Sequence, residues 1–452
     1  MTLKLKKLLK RAAKCGADGD HATAEKLWRE YLKHDPTHPS VLFNVGWCIE
    51  KRADSPQDRL AAAEYYERVI ESPLSDTELK ANAMNQIGLM CLTIGEDEKA
   101  ATSFGFALKI KPDHGAAKIN LADAHRALGE YDIAASEYAG VLDQNPSNPE
   151  ANMCAGMLAL LLGDYTRGWD LYRSRWQVKT FTTKPMETTR PRWNGEPLEG
   201  KTIRLWEEQG FGDSFNFIRY AAALAKIGAR VLFGCQPCLR DVMKGVDGLA
   251  DVVERSDATP FDYHLPLLDV PHYLGTTTAN IPEAHCLRIM PDWTPRFSLV
   301  GNPTRRRIAL VWAGSPSHGK DKARSVTPEL MQPIIDAHPE CDFYSLQAGP
   351  RAHEFERLRG VTNLAPQIGN WTDTAQMLTC MDLLISVDTA CVHLAGALGR
   401  PVWMLCPNSP DWRWMLGRDD SPWYPKLRLF RQPKADDWQT PIQRINEQLS
   451  TF

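Results

Sequence analysis

Residues 95–112, GEDEKAATSFGFALKIKP, and residues 129–146, GEYDIAASEYAGVLDQNP, decide the first half of the fold. Gly95, Ala100, Phe104 and Pro112 return 34 positions later as Gly129, Ala134, Tyr138 and Pro146. One more step gives Gly163, Gly168 and Tyr172, and Gly88 maps through Ala122 to Gly156 in the same register. Upstream, Gly19, Ala24, Trp28 and Pro36 keep the spacing, whereas Gly46, Ala61, Tyr65 and Pro73 keep it only with a short insertion around Arg52 to Asp58. Five units thus cover about residues 3–180. Such a period predicts stacked helical hairpins, each burying an apolar face on the next. Small residues at Gly88, Ala122 and Gly156 let the two helices of a hairpin approach, Phe104, Tyr138 and Tyr172 fill the gap between hairpins, and prolines stop the second helix.

These positions resemble the tetratricopeptide repeat. The resemblance implies a curved solenoid whose concave face takes an extended protein or peptide, the other reading being a spacer or a homo-oligomerisation arm.

After Trp176 the character changes. Residues 181–200 are rich in threonine and proline and end on Gly195, Pro197 and Gly200, which reads as a linker. Beyond it, apolar runs at Ile203–Trp206 and Arg230–Phe233 alternate with helical stretches at Ser214–Ile227 and Leu239–Val246. A second series follows, with strands expected at Ile308–Trp312, Asp342–Leu346, Leu383–Val387 and Pro401–Leu405 and helices at Pro328–Ala337 and Cys391–Leu398. Alternation of this kind predicts two doubly wound α/β lobes, 201–291 and 307–452, joined by a hinge at 292–306. The expected whole is an all-α solenoid over 1–180 followed by two Rossmann-like lobes.

A chain of 452 residues with 53 basic and 56 acidic side chains has a formal charge of -3, which offers nucleic acid no bulk attraction. Its eleven scattered cysteines suit a reducing compartment. The leucine–lysine alternation of residues 1–14 lacks a signal peptide's apolar core, and no run of about 18 apolar residues occurs, so a cytoplasmic protein without a membrane span is expected.

Three segments carry chemistry. Glu207-Glu208-Gln209-Gly210-Phe211-Gly212-Asp213 follows a strand and opens a helix. Gly210 and Gly212 permit close approach of a ligand, and helix-start amides favour anions. The dinucleotide fingerprint is incomplete, and no acid ends the next strand, which disfavours a nicotinamide enzyme. Asp213 reads either as a helix cap or as a base beyond the strand ends, accepting a proton from an attacking hydroxyl. The loop Trp312 to Ser325 is small, polar and cationic: Gly314, Ser315, Lys320, Lys322 and Arg324 suit a diphosphate, while a solvated surface loop is the alternative. In the third segment, Ser386 to Pro401, a buried strand ends at Asp388 and a helix begins, so Asp388 suits sugar hydroxyls and Thr389 a phosphate oxygen. His393 is either a ligand contact or a core histidine. Gln347, at a strand end, suits base or ribose.

The Gly-x-Gly-Asp turn, the Trp-Ala-Gly-Ser loop and the Asp-Thr-x-x-x-His-Leu segment together resemble the heptosyltransferase-like family 9 of glycosyltransferases, over about residues 200–432. The closing segment from Pro410 to Pro425 is similar to bacterial forms fused to tetratricopeptide repeats. The order of domains also resembles O-linked N-acetylglucosamine transferases. The resemblance implies a GT-B fold and metal-independent, inverting transfer from a nucleotide sugar with no cofactor. It places the catalytic base at Asp213 and donor contacts near Ser315 to Arg324 and at Asp388, Thr389 and His393. A protein acceptor held by the repeats is expected; a saccharide or lipid-linked acceptor and an inactive peptide-binding scaffold are the rivals. Removing residues 1–180 is expected to leave donor binding in place.

Overall fold

The computed structural model describes every residue except 1, 2, 54, 300, 303, 317 and 320. Helices run Leu3–Ala17, His21–Leu32, Pro39–Lys51, Pro56–Glu71, Thr77–Ile94, Asp97–Ile110, Gly115–Ala127, Tyr131–Gln144, Pro149–Leu162 and Tyr165–Tyr172, two to each sequence unit. Gly19, Gly95, Gly129 and Gly163 turn the chain at φ of 84°, 79°, 82° and 89°. Only glycine adopts this left-handed backbone freely, hence its recurrence. In the irregular unit, Ser55 and Asp58 cap each other's backbone N–H at 3.2 Å and restart the helix after the insertion. A Cβ at Gly88 would lie 2.5 Å from the Phe104 ring, so this aromatic occupies space the glycine vacates within its own hairpin. It also clusters with Ala124 of the next hairpin, filling both gaps.

The chain forms two compact units, Met1–Ala151 and Asn152–Phe452. The sequence boundary at residue 180 therefore falls inside the second unit. Aromatic packing explains the difference: Trp169 meets Phe217 and Trp412 edge-on at 6.0 and 5.3 Å between ring centres, and Trp423 Nε1 donates to Tyr165 Oη at 3.0 Å. The last hairpin keeps the repeat's periodicity while burying its outer face against the lobes.

Two parallel sheets complete the second unit. The first lobe pairs β1 (Thr202–Trp206), β2 (Arg230–Cys235), β3 (Leu249–Glu254) and β4 (Tyr263–Pro266) in the order β3-β2-β1-β4. The second pairs β5 (Arg307–Val311), β6 (Asp342–Ser345), β7 (Val361–Asn363), β8 (Leu383–Val387), β9 (Val402–Cys406) and β10 (Leu427–Arg431) in the order β10-β9-β8-β5-β6-β7. Ile308, Leu310, Phe343, Ile385, Val387 and Leu405 fill the second lobe's core. Strand order reverses between β1 and β4 in one lobe and between β5 and β8 in the other, and ligands of such sheets bind beyond the strand ends at those reversals. The turn after β1, the loop after β5 and the segment after β8 all lie at these switch points. The single helix expected at Ser214–Ile227 is two, Phe211–Phe217 and Tyr220–Lys226. They break around buried Arg219, which donates to Asn216 O at 2.7 Å and to Trp423 O in the other lobe at 2.6 Å. Among the described residues no helix is long and apolar enough to cross a membrane.

Candidate active site between the two lobes

Beyond β1 the chain bends sharply. Glu207 is buried and accepts the Gln236 N–H at 2.6 Å, and burial raises its carboxyl to about 7. Buried Glu208 forms a two-pronged ion pair with Arg175, both bonds at 2.8 Å. Gln209 then adopts a φ of 58°, and the helix starts at Phe211. Asp213 is therefore the third residue of the helix rather than its cap, and its Oδ2 reaches back to the Gly210 N–H at 2.9 Å. Its Oδ1 accepts from Arg413 of the second lobe. Burial pushes this carboxyl up, the Arg413 guanidinium opposing. Gly212 does not make room for a ligand: a Cβ there would lie 2.8 Å from the His393 ring, so the glycine lets the two lobes' helices meet.

The loop after β5 folds back on itself. Gly314 N–H donates to Ser325 Oγ at 3.0 Å, and that hydroxyl donates to Asp321 Oδ1 at 2.9 Å. Arg324 lies beneath Gly314, where a Cβ would come within 2.5 Å of its guanidinium, and Asp321 stands 3.5 Å from it. Of the three basic candidates, Arg324 is turned inward, Lys322 is exposed and Lys320 lies outside the described residues; Ser315 is exposed as well. Gln347 does not face a ligand. It is 3% exposed, accepts the Trp312 and Ala313 N–H groups at 3.1 and 2.9 Å and donates to two carbonyls, so it pins the loop. With both lone-pair directions and both amide protons engaged, it has nothing left for a base or ribose.

After β8, Thr389 stands at the N-cap of the helix Ala390–Ala397, where no side chain caps the first amides. Its hydroxyl lies 3.2 Å from Ser386 Oγ. Burial and neighbouring Asp411 raise Asp388 to about 6, against the Trp414 indole and the guanidiniums of Arg324 and Arg413. His393 is 6% exposed and stacks on Trp414 at 5.3 Å. Its Nδ1 lies 2.9 Å from Tyr424 Oη, which donates to Asn216 Oδ1 at 2.9 Å. His393 Nδ1 therefore donates to Tyr424. Burial, aided by Arg413, depresses its ring to about 3 and keeps it neutral. This geometry matches the core-histidine reading, linking helices of the two lobes.

The structure thus gathers Asp213, Asp388 and Arg324 and adds two residues to which sequence reasoning gave no role at the base. Asp411 accepts from Arg413 Nη1 at 2.8 Å, and the Arg413 guanidinium lies 4.1 Å from the Trp412 ring centre. Three carboxylates and two guanidiniums thus meet at the paired switch points.

The charge on Asp388 is bought with stability. Unfolded, an aspartate ionises near 3.9; folded, Asp388 does so near 6. Its contribution therefore falls as pH rises between these values and stays low above. Asp388→Asn is expected to gain about 2 kcal/mol at pH 7, or about 5 °C in the unfolding midpoint, and nothing near pH 4. Thermal melts at the two pH values measure the difference.

Comparison with known proteins adds a family to this geometry. Residues 347–436 match the model of glycosyltransferase family 9 (heptosyltransferase), and residues 119–174 match a tetratricopeptide repeat model. The chain thus carries a segment similar to tetratricopeptide repeats and, after it, a segment similar to family 9 glycosyltransferases. The matched part of the transferase domain holds Asp388, Asp411 and Arg413, whereas Asp213 precedes it. Protein FlbA of Caulobacter vibrioides is 25% identical over 423 residues, 85% of this chain and 69% of that protein. A family 9 glycosyl transferase structure from Veillonella parvula DSM 2008 aligns at 12% identity and a TM-score of 0.43, covering 56% of this chain and 96% of its own. MamA from Desulfovibrio magneticus RS-1 aligns at 16% identity and 0.31, covering 38% and 93%.

Proposed function

We propose that the transferase domain moves a sugar from a nucleotide-activated donor to an acceptor hydroxyl, with Asp213 as the base and inversion at the anomeric carbon. One observation carries the reading: Asp213, on the first lobe's switch point, faces the Arg413 guanidinium, and on the second lobe's Arg324 and Arg413 both act on Asp388 beside a helix whose N-cap side chain makes no capping bond. A base beside the acceptor and positive charge beside the leaving group are what a single displacement needs. Arg324 and Arg413 would offset charge on the departing diphosphate, so no metal is required in that role. Asp388 would hold sugar hydroxyls. The repeats would present a protein acceptor. In calorimetry with uridine, guanosine and adenosine diphosphates, at least one is expected to bind, and Arg324→Ala to weaken it about tenfold or more. Equal affinity in the two proteins would remove Arg324 from the donor site.

A further inference from the structure

Gln209 is a long side chain held in the left-handed backbone region, at φ 58°, a conformation that persists only where surroundings impose it. The last hairpin and the segment after it impose it here. Gln209 Nε2 donates to Tyr172 Oη at 2.7 Å, and its N–H donates to Thr183 Oγ1 at 3.1 Å. One residue earlier, Glu208 is clamped by Arg175, which also donates to Asp269 at 2.7 Å. Tyr172 reaches the second lobe too, its ring lying 6.4 Å from that of Trp412. The two groups that grip the Asp213 carboxylate, Gly210 and Arg413, are thus each one peptide bond from a residue that Tyr172 touches.

We infer that Tyr172 is a positioning residue for Asp213: the final repeat fixes the bend and the cation that aim the carboxylate. This rests on Asp213 being the base, and makes the rate of transfer a property of that hairpin as well as of the lobes. Tyr172→Phe isolates the claim, because it keeps the buried ring and removes one hydrogen-bond acceptor.

The test is the titration of the Asp213 carboxyl in full-length protein, followed by magnetic resonance with aspartate labelled at its carboxyl carbon and assigned through Asp213→Asn. In Tyr172→Phe the Gly210 N–H and the Arg413 guanidinium, which both hold the carboxyl down against burial, are expected to loosen, so that Asp213 titrates higher. Amide exchange at residues 209–213 is expected to quicken about tenfold while β8 is unchanged. Gln209→Gly, which accepts the left-handed backbone, breaks the same hydrogen bond from its other end and is expected to raise the titration as well. An Asp213 titration that stays in place in both variants overturns the proposal, whatever the exchange rates. Failure of the base reading shows separately, as undiminished transfer by Asp213→Asn, and leaves the titration result standing.

Discussion

Asp213→Asn is expected to lower sugar transfer by about 100-fold or more while nucleotide affinity is kept, because a positioned base contributes on this scale. Asparagine preserves the shape and still offers the Gly210 N–H an oxygen. What it lacks is the capacity to take a proton and the charge facing Arg413. The loss of that charge leaves Arg413 with Asp411 as its remaining acidic partner at 2.8 Å. Because burial holds the folded Asp213 carboxyl above its ordinary value, losing its charge is not expected to cost stability at pH 7. Single-turnover rates and thermal melts on the same preparation separate the two effects. Turnover near that of the unaltered protein would end the role of Asp213 as base.

The second large effect concerns where the chain can be cut. Removing residues 1–180 takes Arg175 away from Glu208 and Asp269, both fully buried in the intact chain, and leaves Asp269 to Arg192 and Glu208 without a cation. Stripping one partner from a buried ion pair costs about 3–5 kcal/mol, and losing a buried tryptophan such as Trp169 costs a similar amount. Together they rival the about 5–15 kcal/mol that holds a typical domain folded. The lobes from residue 181 onward are therefore expected not to fold, and donor binding is expected to vanish with the fold, contrary to the expectation drawn from the repeats. A chain beginning at Asn148 keeps the whole last hairpin, including the Asn148 side chain that caps the Ala151 N–H at 3.0 Å. It is expected to melt cooperatively and to bind nucleotide. A cooperative melt at the same temperature for both truncations would refute the argument. The chain beginning at Asn148 then tests acceptor choice: transfer to an intact protein acceptor should fall while donor binding stays.

Much of this architecture is legible from the chain alone, for reasons that differ by element. The glycine at four of the five repeat turns is dictated by a positive φ, so its 34-residue recurrence at 95, 129 and 163 marks the last three hairpins directly. β1, β5 and β8 are buried apolar runs and stand out; β3 exposes residues on both faces and β7 has only three residues, so neither carries a period to detect. The break at Arg219 depends on Trp423, and the grip on Asp213 depends on Arg413, partners about two hundred positions away. No local pattern encodes such pairs. Gln347 misleads in another way: the end of a strand is where ligands bind, but its side chain turns inward to bond the neighbouring loop. The repeat pattern does not mark Arg175, because periodicity records which positions are small or aromatic and not what lies against them.

The division at residue 151 also has a consequence for inheritance. Recombination that joins a new set of repeats to these lobes leaves the chemistry undisturbed only if the crossover falls ahead of Asn148. A junction in the threonine-rich stretch, which looks like the natural seam, would deliver lobes without the residues that complete them. An arm joined ahead of Asn148 keeps the final hairpin with the lobes it packs against.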